Sequence, residues 1–480
     1  MESWDVLVLG EGPAALRAAI AASDAGARPL LVSSCSVGAA SGFPPISGFS
    51  ASLNETSPSS HIQDTISAGG DGTDKEAATR ICSSAVEALS ELERWGLVLR
   101  RSQDDLPHLA DIFGHTFPRV AGCGDSTIRE VTRTLEEQTM KRAINRKSDL
   151  LPVALVMDNK QARGIIALDI ESGNLIPIQA KTIIIASQGY HGIWNAPSQG
   201  HGNGLAISNS AGISLRGMAN APMYALTISG VGMVLPMDIL GSGGRIRKVS
   251  GEDASPLEVI EGEPCVLDMR SMERSADGWF ENTSSKVLDR VGLDIRNEVL
   301  PISPRIVSTT GGIPVDDHCR ATFDSGKMWY TGLYAAGRSA YTGMHGLSPL
   351  PGNLIMEEVV TGAVAGKHAG EWSKDSQFGG HKMIDEALSE SQKKIDQMFS
   401  SEGSPVGHVA KALSSAMRIV DGSGEQSSMA IAQASINEIA SLGIRVTDPS
   451  RRMNTELVTA LHVEGLLSLA MLISSNEEEE

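Results

Sequence analysis

The stretch Asp5–Gly26, "DVLVLGEGPAALRAAIAASDAG", decides the fold. Asp5–Leu9 is a short apolar run suited to a buried strand, and the alanine-rich residues 13–25, with Leu16 and Ile20 four apart, suit a helix that Gly26 ends. "RPLLVS" (28–33) is the next strand, so the first thirty-odd residues form one β-α-β unit. Between strand and helix stands Gly10-Glu11-Gly12-Pro13-Ala14-Ala15, a G-x-G-x-x-A spacing. In a dinucleotide-binding turn the first glycine bends the chain and the second lets a pyrophosphate approach the backbone. The small sixth residue lets helix and strand pack closely. An ordinary strand-turn-helix could show the same spacing, but its place between a clear strand and a clear helix favours the dinucleotide reading. The acid expected at the end of the second strand is absent. Ser33-Ser34 stands there, and a hydroxyl holds a ribose less strongly than a carboxylate does.

Outward from this unit, residues 36–60 are rich in Gly, Ser, Ala and Pro, a long loop read as a ligand clamp. Helical periodicity covers 74–96 and 126–144. Three strands follow from Leu151, "PVALVMD", "ARGIIALDI" and "LIPIQAKTIIIAS", a meander that ends in the small-residue turn Ala186-Ser187-Gln188-Gly189, placed to cover a cofactor. Gly202-Asn203-Gly204 introduces a short helix, and 216–305 reads as an irregular, smaller domain. The chain returns to the first domain at "PISPRIVSTTGGIPVDD" and at "GLYAAGRSAYTGMHGLSPLPGNLI" (332–355). In the latter a buried strand runs into a glycine-rich loop, and Gly352-Asn353 can open a helix, so the backbone there can approach a flat ligand. Four helical segments near 382–399, 405–420, 426–442 and 453–473 close the chain.

Composition bounds the function. With 40 basic against 58 acidic residues, a nucleic-acid surface is disfavoured. Five scattered cysteines without a C-x-x-C indicate no disulfide framework, zinc site or iron-sulfur cluster, and they fit a reducing compartment. The sequence shows no leader pattern and no run approaching 18 apolar residues, which predicts a soluble chain without a membrane segment of its own. The acidic tail 476–480 reads as a solvated end.

The order of these signals, together with "ELERWGL", "FGHTFPR", "GDST" ahead of "TLEEQ", "TTGGIPVD" and "RRMNTELVTALHVEGLLSLA", resembles the flavoprotein subunit of succinate dehydrogenase and fumarate reductase, and more loosely L-aspartate oxidase. The resemblance implies an α/β fold: a Rossmann-like FAD-binding domain (1–215 and 306–372), an inserted capping domain (216–305) and a C-terminal helical domain (373–480). It implies FAD held by Gly10, Gly12 and Ala15 at the pyrophosphate, Ser33 at the adenosine ribose and Gly48 at the isoalloxazine. Gly189, Gly337, Gly352 and Asn353 complete the cofactor loops. Asn203 stands where the family has the Asp of G-D-G, and Arg338 where it has a Glu that holds the flavin chain. Ser41 aligns with the histidine that carries covalent flavin in the dehydrogenases, so non-covalent FAD is expected.

The dicarboxylate site that the resemblance implies is altered in all four of its motifs. Leu240 replaces the proton-shuttling Arg of C-R-G-E-G-G, and Ser242 its Glu. Ala225 replaces the His of F-H-P-T-G, although Thr227 persists, and the His before G-G-I gives way within Val307-Ser308-Thr309. Pro349 replaces a carboxylate-binding Arg. Arg suits that work because its fork matches a carboxylate bidentately. Replacement cations are Arg245, on the same glycine-rich loop, then Arg247, Arg216 and Arg305; each is also readable as a solvated surface residue. His345 and His115 match family positions, as flavin neighbours or as structural histidines.

Three functions follow. In the first, the chain passes electrons between a small dicarboxylate and a partner iron-sulfur subunit of a membrane-anchored complex, cytoplasmic or peripheral on the cytoplasmic face, with Arg245, Thr227 and His345 as the catalytic candidates. In the second, the same fold and FAD serve another, less anionic small substrate. In the third, the chain is a catalytically silent paralogue.

Overall fold

In the computed structural model, the described residues are 1–35, 46–54, 57–195, 199–272, 274–400, 402–418 and 426–475. Ser41 and the acidic tail lie outside them. The first strand, Glu2–Leu9, lies between Pro29–Val32 and Leu175–Ile185 and runs parallel to both. Asn145–Lys147 extends this sheet beyond Pro29–Val32, and Met328–Ala335 extends it beyond Leu175–Ile185, again in parallel. The antiparallel meander Leu150–Asp158, Gln161–Asp169, Leu175–Ile185 branches from it. Strands buried on both faces need apolar runs rather than alternation, and Val6, Leu7, Val8, Ile183, Ile184 and Ile185 are all inaccessible to solvent.

The crossover helix Pro13–Asp24 packs against the long helix Asn353–Lys374. Gly362, Gly366 and Gly370 recur every fourth residue, and a Cβ at Gly366 would stand 2.1 Å from the Ala18 carbonyl oxygen. These glycines let the two backbones touch, and the opposing Ala14, Ala18 and Ala22 have no bulk to prevent it. This contact sets the first turn of the long helix beside the turn at residues 10–15.

The segment expected to be irregular holds a five-stranded antiparallel sheet in the order Asp253–Ala254, Arg245–Lys248, Cys265–Asp268, Leu300–Ile306, Met223–Ile228. Its core is Leu226, Ile228, Ile246, Leu267, Leu300 and Ile302. Three of its strands have four residues or fewer or pair across long loops, which hid them from periodicity.

The final helices are Lys382–Ser400, Val406–Met417, Gln426–Ser441 and Thr455–Ser475. The last has 21 residues, with an 18-residue stretch of mean hydropathy 1.8, so among the described residues one helix is long and apolar enough to cross a membrane, contrary to the expectation that none would be. Its Leu457, Ala460, Val463, Leu466 and Leu469 are buried in the core cluster that joins these helices to the sheet, the position of a core helix. Cys82, Cys123, Cys265 and Cys319 are buried free thiols, and Cys35 is half-buried.

Candidate functional site

The parallel strands end in register. Leu9 lies opposite Val32 on one side and Ile185 on the other, and Ile185 opposite Ala335. Loops leaving this one edge therefore share a crevice, the usual place for a ligand in such sheets. Gly10 has φ +144°, and a Cβ there would stand 2.1 Å from the Ala186 carbonyl oxygen. The protein's own backbone thus demands glycine. At Gly12 the nearest atom to such a Cβ is Glu358 Oε2 at 3.9 Å, so its space is left for something other than protein. Ala15 is fully buried beneath this turn.

Ser33 is buried at the end of the second strand; its hydroxyl donates to the Cys35 carbonyl (2.8 Å) and accepts from the Cys35 amide (3.1 Å). Beside it a pocket is walled by Gly10, Glu11, Gln188, His201, Asn203 and His462, among others. Glu11 accepts a hydrogen bond from Gln188 Nε2 (2.9 Å), and burial pushes its carboxyl pKa up. Asn203 donates to the Pro152 carbonyl (2.9 Å). The imidazoles of His201 and His462 stack with centroids 3.9 Å apart.

Gly337 and Arg338 follow the Met328–Ala335 strand. The Gly337 amide donates to Thr361 Oγ1 (3.0 Å), and Gly189 lies across the crevice, where an added Cβ would meet Thr309 Oγ1 at 2.5 Å and the Arg338 Cβ at 3.7 Å. The buried Arg338 guanidinium pairs with Glu357 and lies 3.3 Å from Glu358 Oε1. His345 Nε2 donates to Glu357 (2.9 Å), and Thr342 donates to its other oxygen (2.6 Å). Burial opposes the Glu357 charge, but His345 and Arg338 outweigh it and hold the carboxyl low. Burial pushes Glu358 up to about 7, against Arg338. Glu357 and Glu358 escaped the sequence reading; two consecutive acids inside the apolar run "LIMEEVV" were the available signal.

Gly352 caps the long helix at φ +88°, a left-handed conformation that favours glycine. Its amide donates to Ser47 Oγ (2.7 Å). Asn353 Oδ1 lies 2.8 Å from His61 Nε2, and Asn353 Nδ2 donates to Thr65 (2.9 Å). The Gly48 amide donates to the buried Asp238 (3.2 Å), whose carboxyl burial pushes up to about 7. His115 donates to the Pro351 carbonyl (2.8 Å), and burial lowers its pKa to about 4.

A chamber of about 490 Å³ opens between this turn and the cap. Ala225, Ser308 and Pro349, three of the positions the sequence reading marked as substituted, meet on its wall with Ser47, Gly352 and Met237. Leu240 is instead packed against the cap core. None of the three expected catalytic residues lines the chamber. Arg245 is more than half exposed on a cap strand, 3.8 Å from Asp253. Thr227 is buried and donates to the Ser303 carbonyl, and His345 is held by Glu357. Nor do the other replacement cations line it: Arg247 lies 3.3 Å from Asp268, Arg305 donates to Asn195 (3.1 Å), and the Arg216 backbone pairs with Gly312. Sequence proximity placed Arg245 near the site; the strand Arg245–Lys248 carries it away along the cap sheet.

A parallel sheet with glycine turns at its strand ends, covered by an inserted antiparallel cap, defines an FAD-dependent oxidoreductase fold. The chain matches the family described as FAD binding domain over residues 5–259 and 266–355 and belongs to it, with FAD as its cofactor. An uncharacterized FAD-dependent oxidoreductase of Methanocaldococcus jannaschii is 28% identical over 78% of this chain and 73% of its own length. The succinate dehydrogenase flavoprotein subunit of Rickettsia bellii is 24% identical over 98% of this chain and 87% of its own. Among solved structures, the quinol fumarate reductase FrdA of E. coli superposes with a TM-score of 0.91 at 21% identity, covering 99% of this chain and 89% of that one. The resemblance to succinate dehydrogenase and fumarate reductase flavoproteins read from the sequence is thus the kinship found.

Proposed function

We propose that the chain binds FAD without a covalent bond and exchanges reducing equivalents between it and a small molecule held in the chamber beneath the cap. The observation that carries this reading is the meeting of Ala225, Ser308 and Pro349 with the Gly352 turn: three positions at which the resemblance expects substrate-binding groups share one chamber wall, and none of them carries a charge. Bound FAD supplies hydride exchange at its ring. Gly10, Gly12 and Ala15 leave room for the pyrophosphate, and the pocket beside Ser33 and Asn203 takes the adenosine end. Gly189, Gly337 and Arg338 would border the middle of the cofactor, and Gly48, Gly352 and Asn353 would lie beside its ring. His345 acts as a positioning residue that fixes Glu357 and through it Arg338.

Succinate–fumarate interconversion needs cations at two carboxylates, and the chamber wall offers none among the described residues. The second reading, another small substrate, is therefore favoured over a dicarboxylate. The relatives named as flavoprotein subunits support a further element, an iron-sulfur partner that carries electrons to a membrane complex, with this chain peripheral on the cytoplasmic face. Among the described residues no group of three or more His, Cys, Asp or Glu could hold a metal of its own.

Purified protein should take up FAD, and trichloroacetic acid should leave the yellow chromophore in the supernatant. Flavin retained in the washed pellet would overturn non-covalent binding, and protein that cannot be loaded with FAD would overturn the reading. Affinity purification from native extract should recover an iron-sulfur subunit; a chain recovered alone would remove that element.

A further inference from the structure

The chamber wall carries a chemical statement about what it accepts. Every Lys, Arg and His of the chain is among the described residues, and none of them lines the chamber. Asp and Glu are equally absent from the described lining. The wall is built of Ile46, Met223, Met237, Leu350, Pro351 and Leu354 with a few serines, and the Tyr224 hydroxyl is committed to the Ile46 and Leu235 carbonyls (2.8 and 2.6 Å). A carboxylate leaving water for such a wall finds no cation to offset its desolvation.

The mouth has the same character. Phe113, Leu257 and Ile260 line the chamber yet are 57, 51 and 37% exposed, and Leu347, next to the lining Ser348, is 68% exposed. Scattered exposed apolar residues need no explanation, but several gathered at the opening of one cavity do. They come from two sides, Phe113 from a loop of the flavin domain and Leu257 and Ile260 from the cap helix Pro256–Ile260. The space of about 490 Å³ also borders Gly352, where the flavin ring would sit, so wall and lip rather than volume speak for the substrate.

We infer that the chamber takes an uncharged, predominantly apolar molecule, which enters over the apolar lip formed by Phe113, Leu257 and Ile260. The inference rests on the chamber being the substrate site, as proposed above. Its test varies charge and bulk around one double bond by titrating the FAD-loaded protein with fumarate, monoethyl fumarate, diethyl fumarate and dibutyl fumarate. Binding is read from the flavin absorbance and, independently, from the melting temperature with and without FAD. Affinity should rise at each step, the dibutyl ester binding at least about 100-fold more tightly than the dianion. Ile260→Asp, at an exposed lip position, should weaken the dibutyl ester about tenfold and leave FAD content and the unliganded melting temperature unchanged. Fumarate binding as tightly as its diesters would overturn the inference, as would the absence of any ester effect on the melting temperature. A protein that binds the esters but takes up no FAD would instead remove the oxidoreductase reading and leave the chamber's chemical class standing.

Discussion

Gly10 and Gly12 stand two residues apart and are glycine for different reasons. Gly10 answers to the Ala186 carbonyl, whereas the void beside Gly12 answers to no protein atom closer than 3.9 Å. Gly12→Val should therefore reduce FAD content below about a tenth of wild type while leaving far-UV dichroism and the melting of the apoprotein unchanged. Normal flavin stoichiometry in that variant would show the turn to be structural only. Arg338 carries a different weight. The resemblance marked it as a lost carboxylate; the fold pairs its guanidinium with Glu357 and Glu358 on the facing helix. Arg338→Ala leaves two buried acids without their cation, a loss of about 3–5 kcal/mol for a broken buried pair. Chemical denaturation should read it, whereas Arg245→Ala, on an exposed pair, should change stability by less than about 1 kcal/mol.

At the scale of elements, the last helix brings His462 flat against His201 at the wall of the pocket proposed for the adenosine end. Burial lowers His191 and His201 to about 4 and His462 to about 3, so all three are neutral in the fold. Unfolded histidine titrates near 6.5, so the stability these groups contribute is fully present above that pH and is lost as pH falls toward 4. Glu358 and Asp238, pushed up to about 7, act oppositely: their penalty develops as pH rises from about 4.5 toward 7. The useful measurement is a difference. His462→Gln should lose fewer degrees of melting temperature than wild type between pH 7.5 and pH 5, by several degrees, and equal losses would show that the buried imidazole is not the acid-sensitive contact. Elements differ in how plainly they stand in the sequence. The meander and the first unit were legible because each buries a local pattern against its neighbour. The periodic stretch 74–96 was legible as helix but not as two, Lys75–Ser83 and Ala85–Arg94 meeting at Ser84, since Ser84 keeps right-handed dihedrals (φ −89°, ψ −6°) and barely disturbs a 3.6 period. The cap strands were not legible, because four residues such as Arg245–Lys248 are ordered by partners elsewhere in the chain.

For the whole molecule, the sequence disclosed the cradle and concealed the chamber. The cradle is written in adjacent residues, whereas the chamber wall runs from Ile46 to Leu354 and exists only once the cap is seated. What pointed to it was the set of altered positions, three of which converge on one wall. One further property of the molecule concerns its life in air. Reduced flavins exposed to oxygen release hydrogen peroxide, which attacks thiolates first and thioethers next. Burial pushes all five thiols upward, Cys82 to about 11 and Cys123 and Cys319 to about 12, so thiolate is scarce at neutral pH. Among the described residues the most exposed thioethers are Met453 and Met140, 74 and 63% exposed, where a sulfoxide disturbs no core, while Met223 and Met237 line the chamber itself. A flavoprotein arranged this way spares its thiols and gains its oxygen atoms on thioethers, some expendable at the surface and two beside the place where peroxide is released.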